Sequence, residues 1–105
     1  MSKLKELCTN RNLVVDLLNC TRFERREALF LADSVGFKWT SGRKMLEQRI
    51  TVGVVIDHGR CICLSNMAVS HAPKEFYEGH QDYCDNIVTL DHFKFLVEDH
   101  LYEQA

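Results

Sequence analysis

Hydrophobic and polar residues follow two different periods along this chain, and the change of period marks its predicted elements. Between Thr21 and Gly36 apolar residues recur every three to four positions, which predicts an amphipathic helix. Thr21 and Glu24 form the pattern of a capping box at its start, and Gly36 stands where a left-handed closing residue is favoured. The predicted helix packs through a stripe of partly small residues: Ala28, Leu31, Ala32 and Val35.

Two aromatic residues of this helix lie off the packed stripe. Phe23 and Phe30 are two helical turns apart and therefore align with each other, roughly 140° or more from Ala28 at about 100° per residue. They are predicted to form a separate aromatic patch. Because aromatic anchors contribute most to protein interfaces, Phe23 and Phe30 are candidate protein-binding residues.

Strands are predicted on both sides of this helix. Residues 13–18 are rich in apolar and β-branched side chains, which indicates a strand that leads into the helix. A continuous N-terminal helix is the alternative for this segment. After Gly36 a second strand places Phe37 and Trp39 on one face and Lys38 and Thr40 on the other, so Trp39 is predicted to lie in the core.

A hairpin is predicted in the middle of the chain. Residues 50–57 alternate as a strand does, and His58-Gly59 is placed as a two-residue loop to a second strand at 60–64. This register sets Cys61 and Cys63 beside Val54 and Ile56 on the core side, where free thiols act as small hydrophobes. The opposite side is also apolar and calls for cover by a second layer, a subunit or a partner. Its residues are the other candidate protein-binding residues: Val55, Ile62 and Leu64.

Residues 70–84 have a looser pattern, in which Pro73 is placed to open a short helical turn and Gly79 to close it. The segment gathers histidines and aromatic residues. These suit either the packing of a long loop or contact with the flat ring of a ligand. Together with a cation that follows Trp39, they supply the candidate ligand-binding residues: Arg43, His71, Tyr77 and His80.

A short strand at 86–90 and a closing helix complete the chain. The helix is predicted to pack through Phe93, Leu96, Val97 and Leu101 and to expose Glu98, Asp99, Glu103 and Gln104. The fold class is therefore α+β: a compact single domain over residues 1–105. Its sheet is predicted to be largely antiparallel, with a capped helix after the first strand and a C-terminal helix.

Composition narrows the classes of function. Hydrophobic residues make up 46% and charged residues 27% of the chain, as in ordinary globular domains. The formal charge of −2 argues against nucleic-acid binding, and the cluster Arg22, Arg25 and Arg26 is interpreted as a solvated helix face. No apolar run approaches the ~20 residues that span a bilayer, and no secretion signal is present, so a cytoplasmic protein is expected.

Five cysteines at irregular spacings, without an export signal, predict reduced thiols. Several histidines and cysteines between residues 58 and 84 make zinc binding an alternative. However, Cys61 and Cys63 lack the separation of about two to four residues that is usual for paired zinc ligands. We therefore expect no metal and no cofactor.

Catalytic chemistry is not indicated by the thiols or by the Asp57-His58 pair. A nucleophilic cysteine needs an electropositive, partly exposed setting. Cys61 and Cys63 are predicted to be buried, and Cys84 lies in an acidic stretch whose charges raise a thiol pKa. Asp57-His58 is simply the end of a predicted strand and its turn. The chain is accordingly predicted not to be an enzyme.

One motif carries a family resemblance. The segment Gly36-Phe37-Lys38-Trp39-Thr40-Ser41-Gly42, after a strand and a capped helix, resembles the Gly, aromatic, any, Trp, any, Ser, Gly pattern of many small uncharacterised bacteriophage proteins. In those proteins a strand-rich middle is often followed by a segment like residues 87–93. The resemblance implies a phage-type protein and no catalytic residues.

Two functions follow as hypotheses. The first is a binding protein that blocks or redirects a host protein, in host takeover or in defeating host defence, and that self-associates. It is favoured by small size, missing catalytic chemistry and apolar surface beyond the needs of one core. The second is a module that binds a nucleotide or a nucleotide-derived signal, although no two glycines lie close enough to form a phosphate cradle.

Overall fold

The computed structural model describes residues 2–10, 12–84 and 86–104. Over these residues the chain forms six helices and five strands. The order is α1 (Lys3–Asn10), β1 (Leu13–Asp16), α2 (Arg22–Ser34), β2 (Lys38–Trp39), α3 (Arg49–His58), β3 (Cys61–Ser65), β4 (Ala68–Ala72), α4 (Lys74–Glu78), α5 (Gln81–Cys84), β5 (Ile87–Thr89) and α6 (Leu90–Gln104). The predicted compact α+β fold is confirmed.

The five strands form one mixed sheet in the order β2-β4-β3-β1-β5. The three central strands are antiparallel, whereas β2 and β5 pair in parallel with β4 and β1 at the two edges. The antiparallel part predicted from the sequence is therefore limited to the centre. A tight turn at Asn66-Met67 joins β3 to β4, and both residues have positive φ, as two-residue hairpin turns require.

The predicted capped helix is present as α2. The Thr21 hydroxyl accepts from the Glu24 backbone N–H at 3.1 Å, and a Glu24 carboxylate oxygen accepts from the Thr21 N–H at 2.8 Å. Gly36 has φ of +90°, as expected after the helix end. The segment before it forms a strand, β1, preceded by a separate helix, α1, so the alternative of one continuous N-terminal helix is wrong.

The predicted hairpin at residues 50–64 is wrong, because its first half is the helix α3. β-branched residues favour strands, but Val52 and Val55 are spaced as on one helical stripe and pack in the main core. Gly59 adopts the left-handed conformation, with φ of 62°, and its N–H donates to the Val55 carbonyl. A glycine with positive φ serves a helix end as well as a hairpin loop, so the sequence signal was ambiguous.

Arg25 holds the end of α3 in place. Its guanidinium donates to the backbone carbonyls of Leu17, Leu18 and Ile56, at 3.0, 2.9 and 2.7 Å. A Cβ at position 59 would lie 2.6 Å from an Arg25 nitrogen, so only glycine leaves room for this contact. One side chain therefore links the loop after β1, the helix α2 and the end of α3.

The main core lies on one face of the sheet, under α1, α2, α3 and α6. Val55, Ile62 and Leu64 are all fully buried in it. Their assignment as protein-binding residues is therefore wrong. The physical reason is the misread helix: without the predicted hairpin, Ile62 and Leu64 belong to a strand between β1 and β4, and the side of the sheet that was expected to be bare carries the helices.

A smaller core fills the opposite face of the sheet. It contains Val14, Cys61 and Cys63, covered by Tyr77 from α4. The prediction that both thiols are buried is confirmed, but not their register, since Cys63 lies opposite Val14 and Ser70 rather than Val54. The chain supplies its own second layer, and Pro73 and Gly79 flank α4 as the sequence predicted.

Trp39 lies in the main core, as period-two alternation predicted. It is 3% exposed, and its indole Nε1–H donates to the Met45 carbonyl at 2.8 Å. Phe37 is buried on the same side, while Lys38 and Thr40 are exposed.

The last helix, α6, packs through Phe93, Leu96 and Val97 as predicted. Leu101 is exposed, so its predicted packing is wrong: α6 is still covered at this level, where His100 is buried, but Leu101 lies on the solvent side of the helix. The side chain of Gln104 is outside the described residues. None of the helices described here has the length and apolar character needed to cross a bilayer.

Replacement of Trp39 tests the core assignment. Trp39→Ala should lower the free energy of unfolding by about 3 kcal/mol or more, because it removes a buried aromatic side chain and leaves a cavity. Trp39→Phe should cost less, since it keeps an aromatic ring and loses mainly the hydrogen bond to Met45. Chemical denaturation followed by circular dichroism measures both, and equal stability of Trp39→Ala and wild type would contradict the assignment.

Candidate protein-binding face

The outer side of α2 carries the two phenylalanines singled out from the sequence. Phe23 is 76% exposed and Phe30 is 59% exposed, whereas Ala28, Leu29 and Ala32 on the inner side are buried. With Arg26 and Glu27, the two rings line a shallow, largely apolar groove of about 210 Å³. The capped helix thus presents an aromatic ridge to solvent.

A second aromatic pair, missed in the sequence analysis, lies on α6. Phe95 is 65% exposed and Tyr102 is 84% exposed. They are two turns apart and opposite the buried Phe93 and Val97. The signal that revealed Phe23 and Phe30, an aromatic pair at this spacing on the polar side of a helix, was also present here.

The two aromatic pairs belong to one surface. α2 and α6 follow β1 and β5, which are parallel neighbours. Both helices therefore start at the end of the sheet where these two strands end, and they run in the same direction. Both pack into the main core, and Lys94 Nζ lies 2.7 Å from a Glu27 carboxylate oxygen between them. We call the outer sides of these two helices, with Phe23, Phe30, Phe95 and Tyr102, the aromatic face.

Charge is divided across the aromatic face. Arg22 and Arg26 are exposed on α2, and Arg22 pairs with Asp57 of α3. Asp91 and Glu98 are exposed on α6. Among the described residues neither Arg26 nor Asp91 is in an ion pair. The exposed charges are therefore basic on α2 and acidic on α6, and the half-buried Glu27–Lys94 ion pair lies between them.

The four candidate ligand-binding residues do not form one site, since only Tyr77 and His80 lie in the same cluster. Arg43 is exposed at the turn after β2, where its backbone carbonyl accepts from the Trp39 N–H. His71 lies on β4, with its ring edge-on to Trp39 at 5.9 Å between centroids. Tyr77 is buried beneath the other face of the sheet, so it is not available to a ligand and that assignment is wrong.

His80 takes part in an aromatic cluster at the end of α4. Its ring is 4.5 Å from that of Phe76, and its Nδ1 lies 2.7 Å from the Phe76 carbonyl oxygen. Tyr77 and Tyr83 are in edge contact within the same cluster at 5.3 Å. Tyr77 and Tyr83 pack on the smaller core, which supports the packing interpretation of this segment.

A broader groove of about 490 Å³ opens at the end of the sheet where the strands β1 and β4 finish. Its lining includes Leu18, Arg60 and Lys74. Lys74 Nζ is 2.9 Å from an Asp16 carboxylate oxygen. Arg60 approaches Nδ1 of His71 at 3.4 Å. Burial, aided by the Arg60 charge, lowers the pKa of His71, so its ring is neutral at pH 7 and accepts this hydrogen bond.

The described thiols are poorly suited to nucleophilic chemistry. Burial raises the pKa of Cys61 and of Cys63 to about 11 and that of Cys8 to about 12. The Asp16 charge adds to the shift at Cys61. The side chain of Cys84 lies outside the described residues. Within the described part of the chain, no three histidine, cysteine or acidic side chains are grouped so as to hold a metal ion.

Comparison of the chain with protein-family models, curated proteins and solved structures finds no match.

Thiol labelling tests the buried setting of the cysteines. At pH 8, Cys61 and Cys63 should react with iodoacetamide far more slowly in the folded than in the urea-unfolded protein, because burial both shields them and disfavours the thiolate. Cys20, which is partly exposed, should react faster and serves as the internal control. Mass spectrometry of the labelled peptides gives the order. Equal rates at all three positions would contradict the structure.

The state of His71 should make stability depend on pH. Its pKa is lowered in the folded protein, so the unfolded chain binds a proton first as pH falls below about 6.5. Stability should therefore be full above that pH and decline as the pH falls towards the lowered folded value. In urea denaturation at pH 7.5 and 5.5, His71→Gln should reduce this decline, whereas the exposed His92→Gln should leave it unchanged. An identical decline in His71→Gln would contradict the assignment.

Proposed function

We propose that this chain is a non-catalytic binding protein of the phage type that blocks or redirects a host protein in the host cytoplasm, through contact at the aromatic face. The observation that carries the proposal is the presence of four outward aromatic side chains on two adjacent helices. Phage origin is supported by the Gly36–Gly42 motif alone, and the binding role by the surface itself.

The aromatic face has the composition of an interface. Contiguous apolar patches are uncommon on monomeric proteins and mark sites of interaction. Each phenylalanine or tyrosine ring removed from water contributes at about 25 cal/mol per Å² of apolar area. Phe23, Phe30, Phe95 and Tyr102 are held on helices, so little conformational entropy of the backbone is lost when a partner binds. The flanking charges supply the polar rim typical of such sites.

A role without catalysis is supported by the chemistry of the described side chains. The thiols of Cys8, Cys61 and Cys63 have raised pKa values, the opposite of what a nucleophile needs. The exposed His58 and Asp57 are at the end of α3, and Asp57 pairs with Arg22. The contact with Arg22 gives Asp57 a structural role.

Nucleotide binding is the second candidate, and one observation favours it. The groove of about 490 Å³ is lined by Arg60, Lys74 and Glu75 together with the apolar side chains of Leu18 and Val54. Lys74 is paired with Asp16, so Arg60 is the cation that a small anionic ligand with a flat ring would meet. This site replaces the one predicted from the sequence, whose residues lie apart. Zinc binding, the third hypothesis, has no group of three potential ligands behind it in the described part of the chain, and elemental analysis of the purified protein tests it.

A pull-down separates the candidates. The tagged protein is recovered from a bacterial lysate, its bound proteins are identified, and small molecules released on heating are analysed by mass spectrometry. A stoichiometric host protein that binds again after purification supports the first function. A released nucleotide supports the second, and stoichiometric zinc the third.

Phe30→Glu tests the aromatic face. It places a charge at the centre of the proposed interface and should weaken the complex with the captured protein by about 2 kcal/mol or more, as expected for a hot spot. Titration calorimetry with the purified partner measures the loss. The fold should persist, because Phe30 is outside the core.

Ile50→Glu is the matched control. Ile50 is an exposed apolar residue on α3 that does not belong to the aromatic face, so this variant should bind as wild type does. Loss of folding in Phe30→Glu would contradict the structure. Equal binding by Phe30→Glu and Ile50→Glu would show that the aromatic face is not the binding site.

A further inference from the structure

The aromatic face carries exposed charges of opposite sign on its two helices and a groove between the two phenylalanines of α2. From this we infer that it also joins two copies of the chain into a symmetric dimer, in which α2 of each copy lies along α6 of the other. This inference rests on the proposed function of the aromatic face, and it adds a second copy of the chain as a further binding partner of that face. A dimer of this kind buries the face, so the second copy and a host protein compete for it.

The charges of the aromatic face distinguish between two possible directions of the twofold axis. A twofold axis brings the same surface of both copies together. If the axis ran across the helices, α2 would meet α2 and α6 would meet α6, each pair antiparallel, so the basic exposed side chains of α2 would share one half of the interface and the acidic ones of α6 the other. If the axis runs along the helices, α2 meets α6 of the second copy, and the basic side of each copy lies on the acidic side of the other. Only the second arrangement pairs opposite charges.

Symmetry then fixes which residues are level with each other. Rotation about an axis parallel to the helices moves no residue along that axis, so residues that are level within one copy face each other in the dimer. The Glu27–Lys94 ion pair shows which turns of α2 and α6 are level. Phe95, next after Lys94, is therefore level with the gap between Phe23 and Phe30.

This gap has the form that an aromatic side chain needs. Phe23, Arg26, Glu27 and Phe30 surround the groove of about 210 Å³ on α2. A hole made by four side chains of one helix is what receives a single side chain in knobs-into-holes packing. We place Phe95 of the second copy in this hole, and the reciprocal contact forms at the same time. Two largely exposed aromatic pairs thereby cover each other.

The ion pair of the interface follows from the same register. Asp91 lies one turn before Phe95 and is therefore level with the first turns of α2, between Arg22 and Arg26. Arg22 is already paired with Asp57, whereas Arg26 has no ion pair among the described residues. Arg26 of one copy thus faces Asp91 of the other, twice in each dimer.

A charge swap tests both the dimer and its orientation. Sedimentation velocity over a range of concentrations should show a monomer–dimer equilibrium for wild type. Arg26→Asp and Asp91→Arg should each raise the dimer dissociation constant by about tenfold or more, since each creates two like-charge contacts. The double variant should return it to within about threefold of wild type, because the pair is restored with its signs exchanged. Circular dichroism confirms that each variant is folded.

Several outcomes would overturn the inference. One is a wild-type protein that stays monomeric up to its solubility limit. Another is a dimer that becomes more stable in Arg26→Asp, because this would indicate that α2 meets α2. A double variant as weak as the single ones would exclude the pair. Phe95→Glu gives an independent readout and should abolish the dimer, whereas Ile50→Glu should not.

The proposed function and the dimer can fail separately. If a host protein is captured by wild type and lost in Phe30→Glu while no dimer forms, the function stands and the dimer is excluded. If the dimer behaves as expected but no host protein is captured, the dimer stands and the function is excluded. If both hold, Arg26→Asp should release more monomer, and the captured protein should dissociate the wild-type dimer in sedimentation experiments.

Discussion

Burial of the central strands on both faces is the constraint on which this structure depends. In β1 and β3, residues that point to either side of the sheet are inaccessible to water: Leu13, Val15, Ile62 and Leu64 on one side, and Val14, Cys61 and Cys63 on the other. Such a sheet requires a layer on each face. The helices are divided unequally between the two faces of the sheet. Four helices cover one face, and α4 and α5 cover part of the other.

The unequal division explains the surface that we propose for binding. α2 and α6 lie side by side over one face because β1 and β5 are parallel neighbours and each is followed by its helix. Their inner sides are consumed by the core. Their outer sides have no further layer above them within the described chain, yet carry four aromatic residues. The rings are exposed because α2 and α6 form the outer layer on this side of the sheet. The same arrangement gives two helices that are distant in sequence a common surface.

Arg25 shows how a single side chain determines local architecture. It donates to three carbonyls from two segments, and Gly59 leaves the space for its guanidinium. The end of α3 is thereby fixed against the loop after β1. α3 owes its position to this contact and to packing against α2, since its own sequence favours a strand. Tertiary contacts have overridden local propensity here.

Local signals in the sequence determined the elements that carry their own start and stop chemistry. The capping box of Thr21 and Glu24, the left-handed Gly36 and the alternation around Trp39 each involve residues close in the chain, so their outcome could be predicted. The aromatic pair Phe23 and Phe30 followed from helical periodicity in the same way. What only the tertiary structure decided depends on distant residues. Gly59 suited a hairpin or a helix end equally well, and only the folded chain shows the helix, packed on the main core and contacted by Arg25 at its end. The burial of Ile62 and Leu64, and the meeting of α2 with α6, depend on strand order, which no short-range pattern specifies.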